Sequence, residues 1–419
     1  MQDPATGLLV LWGYLGTVWH LIPLGIAGVI SWSVWILRVF LSRRAKPIVN
    51  DFRTTTSVVV PCYREDADIV DACLTSWLAQ GPHEVIIVVD LADTEVIHRL
   101  AARQDPRVRV VPFQHHGKRS ALGVGIRKAR GEVLVLVDSD TYWLPGLLAA
   151  VQVPFADPRV GGVGTRQNVL RPETSVWRRL ANWMVDVRYV DYVPAQGNAG
   201  AVVCLSGRTA AYRRSAVMPV LANLEDEFFF GRRCVAGDDG RLTWLVLASG
   251  FRTVHQINAR ALSGFPDSFK AFVKQRVRWS RNSYRCYLTA LWKGWLWKQP
   301  LIAQISVLQI LLTPFTMALA LTYAVLWCAK PGGWGFAVAL GWMLAGRGIR
   351  GLSHLRRNPK DIVLLPLMVL TVAFVALPIK AYALVTMNKQ GWLTRRSDLV
   401  GGEGQGGASL QAHAGGVHA

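Results

Sequence analysis

The chain has 419 residues, of which 51% are hydrophobic and 17 are Trp. Its positive mean hydropathy excludes an ordinary soluble enzyme and leaves room for a soluble domain plus membrane segments. The formal net charge is +20, but many Arg and Lys flank apolar runs, so the basic excess points to anionic lipid and a nucleotide diphosphate and not to nucleic acid. The six Cys lack metal-site or paired spacing and read as reduced thiols, mostly cytosolic.

In chain order, Leu8 to Leu41 is apolar apart from His20, Arg38 and small polar residues. A crossing needs about 20 residues, so this run predicts one long helix kinked near Pro23, or a tight pair. It is too long, and lacks the basic start, for a cleavable signal. Arg43, Arg44 and Lys46 come next and place the segment after them in the cytosol. From Thr54 to Ala261 the texture changes to short β-branched runs between helical stretches. Strands are predicted at Ser57–Pro61, Glu84–Asp90, Arg107–Pro112 and Glu132–Val137, with helices over Ile69–Leu78 and Arg119–Ala129. Continuous apolar strands between helices imply a parallel sheet covered on both faces. Ligands of such sheets bind beyond the carboxyl ends of the strands.

Phe269 to Trp297 mixes basic and aromatic residues at helical spacing and reads as helices lying on a membrane surface. Leu301–Ala329 is a spanning helix. Trp334–Leu352 is a second candidate, burdened by Arg347 and Arg350. Ile362–Met387 is a third, interrupted by Pro366, Pro378 and Lys380, and a tight pair here would keep Arg395 and Arg396 on the cytosolic side. The tail from Gly401 is Gly-rich and expected to be disordered. The expected domains are a membrane segment over 1–46, a cytosolic α/β domain over 47–267 and interfacial helices over 268–299. Channel-forming membrane helices over 300–390 and a cytosolic tail over 391–419 complete the chain.

The chemistry gathers at the strand ends. Asp138 and Asp140 flank Ser139; in extended backbone they share one side and can hold a hard divalent cation while phosphates fill other positions. A solvated turn explains them equally well on their own. Asp90 ends the preceding strand, where it can accept from a nucleobase or ribose or simply close a turn. Tyr63 can stack on a base and Glu65 can bind the nucleoside. Lys118, in His116-Gly117-Lys118-Arg119, opens a helix where phosphate is favoured; a basic solvated helix start is the plain alternative. Asp238 and Asp239 precede a helix. Either can deprotonate an acceptor hydroxyl, or both can be helix-start residues. Gln275, Arg278 and Trp279 lie at i, i+3 and i+4 and share a helix face. Arg278 suits a diphosphate and Trp279 the face of an acceptor sugar, with anchoring at the headgroups as the alternative. Anchoring is preferred for Trp292, Trp295 and Trp297. Cys204, Ser206 and Gly207 form a small-residue turn that can line an acceptor site. His20, His115 and His255 have no metal spacing and read as structural.

Taken together, Val137-Asp138-Ser139-Asp140-Thr141, Val160-Gly161-Gly162-Val163-Gly164, Ser206-Gly207 with Tyr212-Arg213, Gly237-Asp238-Asp239 and Gln275 through Trp279 resemble the membrane-integrated family 2 processive glycosyltransferases. Within them the late segment from Leu377-Pro378-Ile379-Lys380 to Asn388-Lys389-Gln390-Gly391-Trp392 is similar to that of hyaluronan synthases. The resemblance implies an α/β, Rossmann-like GT-A catalytic domain in the cytosol, embedded between plasma-membrane helices, and Mg²⁺ or Mn²⁺ as cofactor. It implies that Asp239 is the base, Asp138 and Asp140 hold metal and nucleotide, Asp90 holds the nucleoside, and Trp279 floors the acceptor site. The implied partners are UDP-GlcNAc and UDP-GlcA, the growing polysaccharide and membrane lipid. A single-donor homopolymer synthase of chitooligosaccharide or cellulose type is the nearest alternative. Transfer of one sugar to a lipid carrier, and a non-enzymatic transporter, stand further off.

Overall fold

A computed structural model describes residues 25–114, 116–329 and 334–389. Expectations for 8–24, His20, His115 and the tail from residue 390 fall outside the described residues. The first helix described, α1 (Gly25–Arg43), ends at the basic cluster. Then come β1 (Thr56–Cys62), α2 (Ala67–Leu78), β2 (Glu84–Asp90), β3 (Val108–Phe113), α3 (Lys118–Lys128), β4 (Val133–Val137) and β5 (Thr141–Trp143). After them lie β6 (Val160–Val169), α4 (Val176–Val187), β7 (Thr209–Arg213), a small hairpin of β8 (Phe228–Phe229) and β9 (Arg232–Arg233), α5 (Asp238–Ala248) and β10 (Arg252–Ser263).

Eight strands form one sheet in the order β3-β2-β1-β4-β7-β6-β10-β5. β1 pairs parallel with β2 and β4, and β2 with β3. β1, β2 and β4 are buried on both faces, as their unbroken apolar runs require, while β3 at the edge is half-buried. Along β1 the side chains alternate: Val58 and Val60 join a core with Trp77, Ile87 and Trp143, while Val59 joins a second core with Ile86, Leu122, Ile126 and Leu245. The expectation of a parallel sheet holds for this half only. β7 enters antiparallel between β4 and β6, β10 runs parallel to β6, and β5 runs antiparallel to β10. The sheet is therefore mixed. β6 escaped prediction because Gly161, Gly162 and Gly164 dilute its β-branched signal. β10 escaped because it carries Arg, His, Gln and Asn along its length.

The segment read as interfacial helices is one 24-residue helix, α6 (Phe269–Trp292), started by Ser268, whose side chain accepts from the Ala271 N–H. α7 (Leu301–Cys328) and a continuous helical run α9 (Pro359–Val385) are long and apolar enough to cross a membrane. Between them α8 (Trp334–Arg350) has 17 residues, the lower limit for a crossing. The tight pair entertained for Ile362–Met387 is absent, because α9 continues through its prolines by a π-helical stretch at Thr371–Ala376. A helix can absorb such prolines by local π adjustment.

The α/β domain is tied to these helices at two places. His354 is fully buried with its ring nitrogens 2.9 Å from Asp186 and 2.8 Å from Asp361, and its ring stacks on Trp183. On α6, the Arg281 Nε donates to Thr386 at 3.0 Å and Arg285 donates to the Met387 carbonyl at 2.6 Å.

Candidate active site

The site is a cleft at the carboxyl ends of β1 and β4, roofed by α6. Tyr63 after β1, Asp138, Ser139 and Asp140 after β4, and Lys118 at the start of α3 form one wall. Cys204, Ser206 and Gly207, ahead of β7, lie beneath them, and Asp238 and Asp239 enter at the start of α5. Gln275, Arg278 and Trp279 face them from α6.

Asp138 and Asp140 share the cleft, although the backbone between them is a turn and not the extended segment expected. The Thr141 N–H donates to the Asp138 carbonyl at 3.1 Å, and this reversal sends β5 back along β10. Glu65 lies beneath the turn: it is buried and accepts from the Ser139 hydroxyl at 2.9 Å. Asp90 is also buried outside the cleft lining, and its Oδ1 accepts the Ala92 N–H at 2.8 Å.

Lys118 is the electrostatic centre. Its Nζ is 2.9 Å from Asp138 Oδ1 and 2.9 Å from Asp238 Oδ2. Burial alone would lower its pKa, but Asp138 and Asp238 outweigh burial and hold it above the ordinary lysine value. Gly207 packs against this pair: a Cβ there would stand 3.2 Å from the Lys118 nitrogen and 3.5 Å from Asp238 Oδ2. Gly237 starts α5 with φ +79°, a conformation that suits glycine, and a side chain there would press on Asn282 of α6.

Asp238 and Asp239 occupy the first turn of α5, while Gly237 takes the cap position. Asp239 Oδ1 accepts the Gly240 N–H at 2.8 Å, so the helix-start reading accounts for one of its oxygens. Burial first, and then the neighbouring Asp238, push the Asp239 carboxyl above the usual aspartate range, with Lys118 opposing. A carboxylate with raised proton affinity, facing a cleft, suits a general base.

The α6 wall is aromatic and cationic. The Trp279 ring meets Phe265 edge-on with centroids 6.0 Å apart. The Arg208 guanidinium lies 4.2 Å from the Phe265 centroid and 5.0 Å from that of Trp279, and Arg276 lies 5.1 Å from Trp279. Gln275 Oε1 is buried with no hydrogen-bond partner among the described residues, an acceptor that a ligand hydroxyl can satisfy.

Sequence reasoning missed Arg188, Arg208 and Arg276, which also line the cleft. Arg276 stands inside the Gln-x-x-Arg-Trp run, and Arg208 directly follows Gly207, so adjacency was the available signal. Arg188 begins a π-helical turn at Arg188–Tyr192, whose register breaks the 3.6-residue period that periodicity reads. Burial, then Arg208 and Arg188, lower the Arg276 pKa to about 10. His255 stacks on Tyr189, and burial lowers its pKa to about 3.

A family model described as glycosyltransferase like family 2 matches residues 53–282. An N-acetylglucosaminyltransferase of Sinorhizobium fredii (strain NBRC 101917 / NGR234) is 31% identical over 82% of this chain and 84% of its own. One from Azorhizobium caulinodans is 31% identical over 81% and 87%. A type 2 glycosyltransferase of Pyricularia oryzae is 27% identical over 84% and 77%. Among solved structures, a mannosyltransferase from Pyrobaculum calidifontis, in complex with GDP-Man and Mn²⁺, superposes with a TM-score of 0.59 at 21% identity. That match covers 85% of this chain and 98% of the other, a likeness of fold.

Proposed function

The chain belongs to glycosyltransferase family 2 and is a glycosyltransferase of GT-A fold, and from that premise we propose that it builds an N-acetylglucosamine oligomer or polymer from UDP-GlcNAc as single donor. The observation that carries the choice of donor is likeness along most of both chains to enzymes named N-acetylglucosaminyltransferase. This favours the single-donor alternative over alternating hyaluronan synthesis. The meeting of Asp238, Asp239, Gln275, Arg278 and Trp279 in one cleft supports transfer to a sugar acceptor.

In this reading the acceptor sugar lies on Trp279, with a hydroxyl directed at Asp239. Asp239 takes the hydroxyl proton as the oxygen attacks the anomeric carbon of the donor. The bond from that carbon to the diphosphate oxygen breaks, and UDP departs with the electron pair, so configuration inverts. Lys118 and Arg278 receive the charge of the departing diphosphate, the interaction that matters most in the transition state. Tyr63 is placed to stack on the base.

The carboxylates fit a hard divalent cation. Asp138 and Asp140 both line the cleft, and among the described residues no group of three or more His, Cys, Asp or Glu stands ready to hold a metal alone. Two carboxylates completed by phosphate oxygens and water match Mg²⁺ or Mn²⁺ bound together with nucleotide. When bound, the ion would offset charge on the diphosphate.

We place the protein across a membrane with the catalytic domain in the cytosol. Phe315, Leu319 and Val325 on α7, and Val363, Leu370 and Phe374 on α9, are exposed, a surface that lipid would cover. Arg43 at the end of α1, with Arg44 and Lys46 after it, favours the cytosolic side for the catalytic domain.

The test is incubation of the purified protein with labelled UDP-GlcNAc, UDP-GlcA or both, followed by digestion with chitinase or hyaluronan lyase. Chitinase-sensitive product from UDP-GlcNAc alone is expected. Product that forms only with both donors and yields to the lyase would replace this reading with the hyaluronan one.

A further inference from the structure

A second cavity, of about 210 Å³, lies away from the cleft, between α1, α7, α8 and α9. Its walls are apolar: Trp32 from α1, Ala320 and Ala324 from α7, Trp342 from α8, Val369 and Ala373 from α9. Two cations, Arg347 and Arg350, line it as well. Arg350 donates to the Ser31 hydroxyl at 3.0 Å and lies 4.6 Å from the Trp32 ring centroid, while its Nε is buried with no hydrogen-bond partner among the described residues. Near Tyr192 a third cation, Arg38, sits 5.3 Å from the ring centroid and donates to Ser306 and Gln309. All these partners are neutral.

The segments α1, α7 and α8 contain no Asp or Glu. The nearby acids are engaged elsewhere: Asp361 with Arg179 and His354, and Asp191 with the Ser353 hydroxyl. Arginines on membrane helices are costly unless they face a cavity and find an anion. An apolar chamber with guanidinium groups in its lining has the chemistry of a lipid with a phosphate headgroup.

We propose that this cavity binds an anionic glycerophospholipid, its phosphate held by Arg347 and Arg350 and an acyl chain lying between α7 and α9. The proposal rests on the membrane reading given above. A bound lipid would brace α8 and α9, and through His354 and Asp361 the surface of the catalytic domain.

The full chain is reconstituted into nanodiscs of phosphatidylcholine with or without phosphatidylglycerol, released into neutral detergent and weighed by native mass spectrometry. Phosphatidylglycerol adducts are expected to survive in about tenfold excess over phosphatidylcholine, the scale set by basic groups at a lipid surface. Arg347→Gln with Arg350→Gln should erase that excess. Ala320→Phe fills the apolar wall and keeps the arginines, so it should also lose the adduct even if the double variant does not fold. Equal retention of the two lipids, adducts indifferent to both changes, displacement by millimolar inorganic phosphate, or a sugar oligomer held in place of lipid would each overturn the proposal. Carbonate extraction separates the premises. Release from membranes removes the membrane reading and the lipid site with it, whereas an embedded protein without lipid preference removes only the lipid site.

Discussion

The carboxylate side of the cleft hangs from the sheet, whereas the Gln275–Trp279 side hangs from α6. Asp138 and Asp140 come directly after β4, and Lys118 ties Asp138 to Asp238 with two contacts of 2.9 Å. β1, β2 and β4 beneath them are almost wholly buried, so this side has little freedom to move. α6 instead faces two ways. Gln275 and Trp279 look into the cleft, while Arg281 and Arg285 hold Thr386 and Met387 at the end of α9. The contrast suggests a division of labour. In the proposed reading, the sheet side fixes donor and proton chemistry, and the α6 side couples acceptor binding to the long apolar helix α9.

Removal of divalent metal should break the sheet side altogether. Excess EDTA is expected to abolish turnover and UDP binding together, with both returning on addition of Mg²⁺ or Mn²⁺. Full activity in EDTA would leave Asp138 and Asp140 as residues of a turn. Next in size is Asp239→Asn, which keeps shape and removes the proton acceptor. Loss of a general base costs about 10²–10⁴-fold in rate. UDP affinity, measured by calorimetry on the same preparation, should stay near that of the parent. A variant within a few-fold of the parent rate would pass the role to Asp238.

The two sides also differed in how far the sequence disclosed them. The acids were legible because parallel buried strands announce themselves as unbroken apolar runs, and an Asp at the end of such a run falls where ligands bind. Glu65 obeys the same rule of position and accepts from Ser139 beneath the turn, a contact that position alone does not disclose. β6 and β10 were hidden because glycines and buried polar side chains erased their pattern. On α6 the i, i+3, i+4 spacing revealed Gln275, Arg278 and Trp279. The spacing could not show that Arg208, from a loop far away in sequence, would lie against both Phe265 and Trp279. The long apolar helices were legible from composition, but the π-helical stretch that carries α9 past its prolines was not.

Trp279→Ala addresses the α6 side and should give a smaller effect. Loss of a stacked aromatic contact is worth about 0.5–1.5 kcal/mol beyond area, so the acceptor KM should rise roughly tenfold. UDP affinity and donor hydrolysis without acceptor should change little. If Trp279 were only an interfacial anchor, the yield of folded protein would fall while rate and product length per folded molecule stayed the same.

The smallest expected effect is a shift along the pH axis, and it probes the join between the two aspartates. Burial and the charge of Asp238 raise the Asp239 pKa, and the base works only when ionised. Activity should therefore fall on the acid side at a pH above the ordinary aspartate range. Asp238→Asn removes the repelling charge but not the burial, so the acid limb of kcat/KM should move to lower pH without reaching that of a free aspartate. Asp239 also affects stability, with the opposite sign from a salt-bridged carboxylate. Its folded form binds the proton more tightly than the unfolded chain, so stability falls as pH rises through the folded pKa, and the cost is fully present above it. Asp239→Asn should then raise Tm at neutral pH, with the gain fading as pH drops below the folded pKa. A Tm difference independent of pH, or an acid limb unmoved by Asp238→Asn, would show that the two carboxylates do not share their charge in the working enzyme.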